Sequence, residues 1–443
     1  MSILQHYRCP QEIAEFWLEG TPKTSEGFFR FGPDVVCYGQ VAGHVRPYVN
    51  GNLFDAAKAV HIEGKSVKLP FNAEAVLENL RYERYVTAGR GWLEGDWAKD
   101  AYYMMRPYLP VGVRKHMQRL YLRGWQSQNF PEWPVDRTAD IIAEQLMILA
   151  LRASKKDRLP FIWFWPGGHK ACAMVTHDVE TKAGRDLTNR LMDIDEDFGI
   201  RASIQIVPEK RYTVTPDFLE TIRDRGFEIN VHGLDHDGNL FHDRGAFLQH
   251  AKRINEYAVA YHARGFRSPT MYRNVDWFQD LNFSYDMSIP SVARLEPQRG
   301  GCCTVMPYFL PGGMLELPLT TTQDYTLFHV LNDYSMSLWK QQIDLIVKKH
   351  GLVSVIVHPD YVFSERAQRV FRELLHKIKT IESKQDVWLT LPGEVDRWWR
   401  ERNNMRLVPS GSSWKIEGAG SERACLAYAR LDGDELVYEV DRT

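Results

Sequence analysis

Ala171-Cys172-Ala173-Met174-Val175-Thr176-His177-Asp178-Val179-Glu180 decides the reading of this chain: an apolar run whose last residues carry two carboxylates on alternate positions. Successive side chains of a strand point to opposite faces, so Asp178 and Glu180 project to the same side. Carboxylates delivered by a buried strand to its rim are costly to desolvate unless a cation or a proton relay meets them. A lone D-x-E is ordinarily a solvated turn, because so short a pattern arises often by chance. Here, however, suitable partners recur downstream, each at the end of its own predicted strand.

Outward from that stretch, short apolar runs alternate with amphipathic segments. Strands are predicted at 161–165, 171–176, 202–207, 227–232, 266–268, 283–287, 314–319, 352–358 and 387–389. Helices are predicted at 187–198, 216–225, 246–261, 338–350 and 365–381. Seven or eight βα units of this kind make an α/β fold with a parallel barrel, closed or open, whose chemistry sits at the C-terminal strand ends. The run at 161–165 has a second reading, as a hairpin partner outside the barrel.

The 443 residues exceed one ordinary core, and 44% hydrophobic content is enough to fill two or three. We divide the chain into an N-terminal α/β accessory domain at 1–160, the barrel at 161–402 and a small β appendage at 403–443. In the first part, 27–31 and 35–39 read as strands around the turn Gly32-Pro33-Asp34, with a helix at 73–81. The appendage's strand edges are expected to pair with these N-terminal strands.

A net charge of -2 gives no global argument for nucleic acid or membrane. Locally, Arg106, Arg114, Lys115, Arg119 and Arg123 interleave with apolar residues in a stretch free of acids. Such a helix ordinarily packs between domains with its arginines solvated; the sharper expectation is peripheral contact with a membrane or lipid carrier through Arg114, Lys115, Arg119 and Arg123. The six cysteines lack paired spacing and read as reduced, and no signal-like or membrane-spanning apolar run is visible, so a cytoplasmic, at most membrane-peripheral, protein is expected. Oligomeric state is not legible.

His232 and His236 lie four residues apart in a glycine-flanked segment, Val231-His232-Gly233-Leu234-Asp235-His236-Asp237-Gly238, that reads as a loop after a strand. With one carboxylate they complete a His-His-carboxylate set with an open position, as catalytic zinc sites have. Arg267, before Ser268-Pro269, needs a carboxylate if buried, and Asp178 is the candidate. Asp286 ends another strand, and His358 closes the apolar run 352–357, suited to a general acid whose pKa a nearby Asp adjusts. Tyr272, Arg273, Trp277 and Cys302-Cys303 are lesser candidates for a substrate groove.

Taken in order, Asp178-x-Glu180, His232-x-x-x-His236, Arg267-x-Pro269, Asp286 and Ile356-x-His358 resemble the polysaccharide deacetylase family (NodB homology, carbohydrate esterase family 4) over roughly residues 165–400. The resemblance implies a distorted (β/α)7-8 barrel, a divalent metal and removal of an acetyl or formyl group from an amino sugar. It implies Asp178 as base, Glu180, His232 and His236 as metal ligands, Arg267 holding the base, His358 as acid and Asp286 tuning it. Thr270 stands where the family contributes a backbone oxyanion donor, and Ile356 where a leucine lines the acyl pocket. The first motif is D-x-E instead of two adjacent aspartates, Thr270-Met271 replaces aromatic-glycine, and the fourth motif lacks its tryptophan. Two imidazoles favour zinc, and the set also admits cobalt or nickel. A cytoplasmic member is expected to act on a lipid-linked or nucleotide-linked sugar or polysaccharide precursor. The competing readings are an amidase acting on a small cyclic amide or ureide, and a non-catalytic carbohydrate-binding barrel.

Overall fold

The computed structural model describes residues 6–10, 13–22, 25–49, 51–86, 117, 130–292, 300–411 and 413–442. The basic residues Arg106, Arg114, Lys115, Arg119 and Arg123 lie outside the described residues. The N-terminal part holds β1 (Glu15–Leu18), β2 (Gly27–Arg30), β3 (Val36–Gly39), β4 (His61–Glu63), β5 (Ser66–Leu69) and helix α1 (Ala73–Arg81). β2 and β3 form the expected hairpin, Gly27 opposite Gly39. α1 starts where Asn72 accepts the Ala75 amide (3.1 Å), closing one of the helix's orphan donors. A helix that the periodicity did not reveal, α2 (Thr138–Ser154), leads into β6 (Arg158–Ile162).

The central sheet contains β7 (Ala171–Val179), β8 (Ser203–Ile206), β9 (Glu228–His232), β10 (Gly265–Arg267), β11 (Tyr285–Asp286), β12 (Tyr308–Phe309), β13 (Leu315–Glu316), β14 (Leu352–Val357) and β15 (Val387–Leu389). Its order is β12-β13-β11-β10-β9-β8-β7-β14, with β15 beside the first half of β7. All pairs are parallel except β12 with β13. Helices α3 (Lys182–Asp197), α4 (Pro216–Asp224), α5 (Arg244–Ala260), α6 (Ser337–Lys348), α7 (Glu365–Gln385) and α8 (Pro392–Asn404) follow strands in the expected alternation. The barrel is open as a backbone ladder, and threonine side chains stitch the gap. Thr320 Oγ1 donates to Leu352 O (2.7 Å) and accepts from Ser354 N (2.9 Å), while Thr321 Oγ1 donates to Ser354 O (2.8 Å).

Alternation along β7 sorts its side chains. Ala171, Ala173, Val175 and Val179 pack with the helices, whereas Cys172 and Met174 share a second cluster with Phe161, Trp165, Trp398, Phe29 and Leu146. The even side is therefore apolar at its base and polar only from Thr176 upward. On the odd side His177 is the exception: its Nε2 lies 2.8 Å from Asp195 Oδ2 of α3, both fully buried.

Of the two readings of 161–165 the one outside the barrel holds, and one expectation changes. The first run stands outside the barrel: β6 pairs antiparallel with β18 (Leu426–Asp432), whose other neighbour is β19 (Glu435–Val440). The appendage thus pairs with residues 158–162 and not with β1–β5, because Phe161, Phe164, Tyr7 and Tyr438 form one aromatic cluster that binds β6 to the tail. The hairpin β16 (Arg406–Ser410) and β17 (Ser413–Glu417) makes its own sheet.

Candidate active site

Asp178 and Glu180 emerge on the same side of the β7 rim, as alternation requires. Arg267, the last residue of β10, donates through Nη1 to Asp178 Oδ1 (2.7 Å) and to Thr176 Oγ1 (2.8 Å), and through Nε to Met287 O (3.1 Å). Burial alone would push the Asp178 carboxyl up; the Arg267 guanidinium, aided by the His358 imidazolium, outweighs it and holds the group below the usual carboxylate range. Its second oxygen, Oδ2, is buried without a hydrogen-bond partner and lies 3.8 Å from His232 Nε2.

His232 ends β9. Its Nδ1 lies 3.1 Å from Arg267 O; a carbonyl only accepts, so Nδ1 carries the proton and Nε2 turns its lone pair to the site. His236 follows a turn in which Gly233 adopts φ +63°, and a Cβ there would lie 2.3 Å from Pro269 Cγ. Arg211 fixes that loop by donating to the carbonyls of Asp235 (3.1 Å) and His236 (2.5 Å). Glu180 Oε1 is the meeting point: His236 Nε2 is 2.8 Å away, His358 Nε2 3.3 Å and His232 Nε2 3.5 Å. Burial opposes its ionisation, yet His236 and His358 bring the carboxyl well below the usual range.

The donor atoms of Glu180, His232 and His236 all lie within 4.8 Å of one another, and so do those of Asp178, Glu180 and His358. One carboxylate and two imidazoles around an orphaned, ionised carboxylate oxygen suit a divalent cation, which would compensate charge that the protein leaves partly unmet.

The partner of His358 is Asp324, and this corrects the expectation for Asp286. His358 Nδ1 lies 2.6 Å from Asp324 Oδ1, and His358 N donates to Asp324 Oδ2 (2.8 Å). Burial lowers the pKa of this imidazole, but Asp324 and Glu180 together raise it well above the ordinary histidine value. Asp324 caps a seven-residue π-helical turn, Tyr325–Leu331, by accepting Tyr325 N (2.8 Å); such turns gather at functional sites. Asp286 instead takes Ser288 N (2.9 Å) and Ser288 Oγ (2.7 Å), and faces Glu316 across β11 and β13. The sequence signal for Asp324 was positional only: an acid shortly after a strand that was predicted to end at 319.

Thr270 sits in the turn Pro269–Met271 with φ +52°, followed by Met271 at +55°, a region that a β-branched residue seldom enters. Ile356, Met271 and Leu319 form a small separate apolar cluster. Tyr361 packs its ring 4.9 Å from that of His358. Of the lesser candidates, Cys302 and Cys303 are fully buried and Trp277 packs on Phe247. Among the described residues no helix is long and apolar enough to cross a membrane.

No family model and no curated protein matches the chain. Similar solved structures include a candidate polysaccharide deacetylase from Mycobacterium smegmatis, with a TM-score of 0.46 and 18% identity over 57% of this chain and 98% of that one. Puue allantoinase has a TM-score of 0.42 and 15% identity over 53% and 92%. A candidate polysaccharide deacetylase from Pseudomonas aeruginosa PAO1 has 0.42 and 13% over 53% and 93%. These similar structures thus include an allantoinase beside the candidate polysaccharide deacetylases, each matched over little more than half of this chain.

Proposed function

We propose that the chain is a metal-dependent hydrolase that removes an acetyl or formyl group from an amino sugar. The observation that carries this reading is the convergence on Glu180 Oε1 of His232, His236 and His358, with Asp178 on its own arginine beside them. Glu180, His232 and His236 would hold the ion, zinc by its donor set with cobalt or nickel admitted, and the ion would supply polarisation of the acyl carbonyl and a more acidic water. Asp178, kept ionised by Arg267, accepts the proton of the attacking water at Oδ2. Attack forms the C–O bond and leaves the electron pair of the carbonyl on its oxygen; on collapse the C–N bond breaks, and His358, held by Asp324, delivers a proton from Nε2 to the departing amine. The Thr270 N–H is assigned to the developing oxyanion. Met271, Leu319 and Ile356 offer the acyl methyl an apolar wall.

The test is acetate and formate release by the zinc-, cobalt- and nickel-loaded protein from a panel of N-acetyl and N-formyl amino sugars, with a cyclic ureide as competitor substrate. Release from a sugar, abolished in His232→Ala along with bound metal, is the expected result. Ring opening of the ureide without sugar deacylation would replace this reading by the amidase.

A further inference from the structure

We infer that Glu83, from the N-terminal part of the chain, is a positioning residue for the turn that carries Thr270, so that the barrel's site is completed by residues outside the barrel. Glu83 and Arg273 form a buried fork: Arg273 Nε donates to Glu83 Oε2 (2.6 Å) and Nη2 to Glu83 Oε1. The arginine's remaining arm, Nη1, donates to Met271 O (2.7 Å). Arg273 is thereby aimed by one partner and grips the backbone with the other, which a planar guanidinium does and an ammonium does not.

The turn needs such a grip. Thr270 and Met271 both have positive φ without being glycine, a conformation that persists only where surroundings over-determine it. At its start the turn is tied to the barrel, since Ser268 N donates to Ser288 Oγ (2.7 Å), itself bonded to Asp286. At its end Ser268 Oγ donates to Tyr272 O, and the Glu83–Arg273 fork holds Met271 O. The segment delivering Glu83 is itself anchored to the barrel: Tyr308 Oη donates to Arg81 O (3.0 Å), Tyr82 Oη to Phe309 O (3.1 Å) and Tyr85 Oη to Gly301 O (2.9 Å). The link from Glu83 to the site runs through Arg273 to Met271 O.

This inference rests on the proposed role of Thr270, and the experiment separates the two. In Glu83→Gln, hydrogen exchange followed by mass spectrometry should quicken about tenfold at the Met271 and Tyr272 amides, which donate to Ser268 O and Pro269 O, and stay unchanged over 228–236. Zinc content should be that of the wild type. With para-nitrophenyl acetate as probe, kcat should fall about 10- to 100-fold with KM within about twofold, the loss expected when a transition-state donor is misplaced. Unchanged exchange in the turn, or equal quickening in 228–236, would overturn the inference. If Glu83→Gln does not fold, the Glu83→Gln/Arg273→Gln double variant removes both buried charges and is read in the same way. A wild type inactive on every substrate would remove the deacylase reading and leave the exchange result to decide the clamp.

Discussion

Replacing Asp324 with Asn tests the assignment on which the structure and the sequence part company. The Asp324 carboxylate accepts from His358 Nδ1 (2.6 Å), His358 N (2.8 Å) and Tyr325 N (2.8 Å), and is wholly buried. An asparagine of the same shape has one acceptor oxygen. If that oxygen keeps His358 Nδ1, the amide group faces the His358 N–H and leaves a buried donor unmet, at about 1–3 kcal/mol. If it turns, its NH2 faces Nδ1, which must then give up its proton and with it the imidazolium form. Both arrangements remove the anionic partner, so general-acid assistance, typically about 10²–10⁴-fold, should be lost for an amine leaving group. A para-nitrophenolate leaves without protonation, so para-nitrophenyl acetate hydrolysis should fall less than about tenfold. The assay compares kcat on both substrates at equal metal content, with Asp286→Asn as the control that should show no dependence on leaving group. Equal losses on both substrates, or the differential appearing in Asp286→Asn instead, would refute the reasoning.

Asp178→Asn should retain metal yet lose about 10²–10⁴-fold on both substrates, since water activation precedes either leaving group; metal loss here with retention in Glu180→Gln would exchange the two roles. Gly233→Ala should lower the urea midpoint, corresponding to about 1–3 kcal/mol, because its Cβ would lie 2.3 Å from Pro269 Cγ at φ +63°; an unchanged midpoint contradicts the packing. Burial and the facing Asp286 raise the Glu316 carboxyl well above its ordinary range, so the folded state binds its proton more tightly than the unfolded chain does. Its contribution is full below about pH 4.3 and is lost as pH rises through the folded value. Glu316→Gln should therefore gain thermal midpoint over wild type progressively with pH, and a difference flat in pH would count against it.

The sheet of βα units, and the residues that gather at the β7 rim, are legible in the sequence. Alternation along 171–180 is a local property, which is why Asp178 and Glu180 share a face and why Arg267 meets Asp178 as a buried guanidinium must. Gly233 marked a loop after β9, and the structure adds why: only glycine leaves room for Pro269. By contrast α2 was illegible, for its apolar residues surround it on most sides and mask the helical period.

What the chain's local pattern could not choose was the partner of each buried charge. Asp286 ends a short strand and Asp324 follows one, and nothing within a few residues separates an acid that faces Glu316 from one that holds His358 34 positions away. Likewise Glu83 and Arg273 stand 190 positions apart, and β6 found its neighbour in the C-terminal tail. Periodicity and turn chemistry act over one or two turns of chain and are written in the sequence. The pairing of buried ions and strand edges depends on distances that exist only once the curled sheet has brought its rims together, and there tertiary structure alone decides.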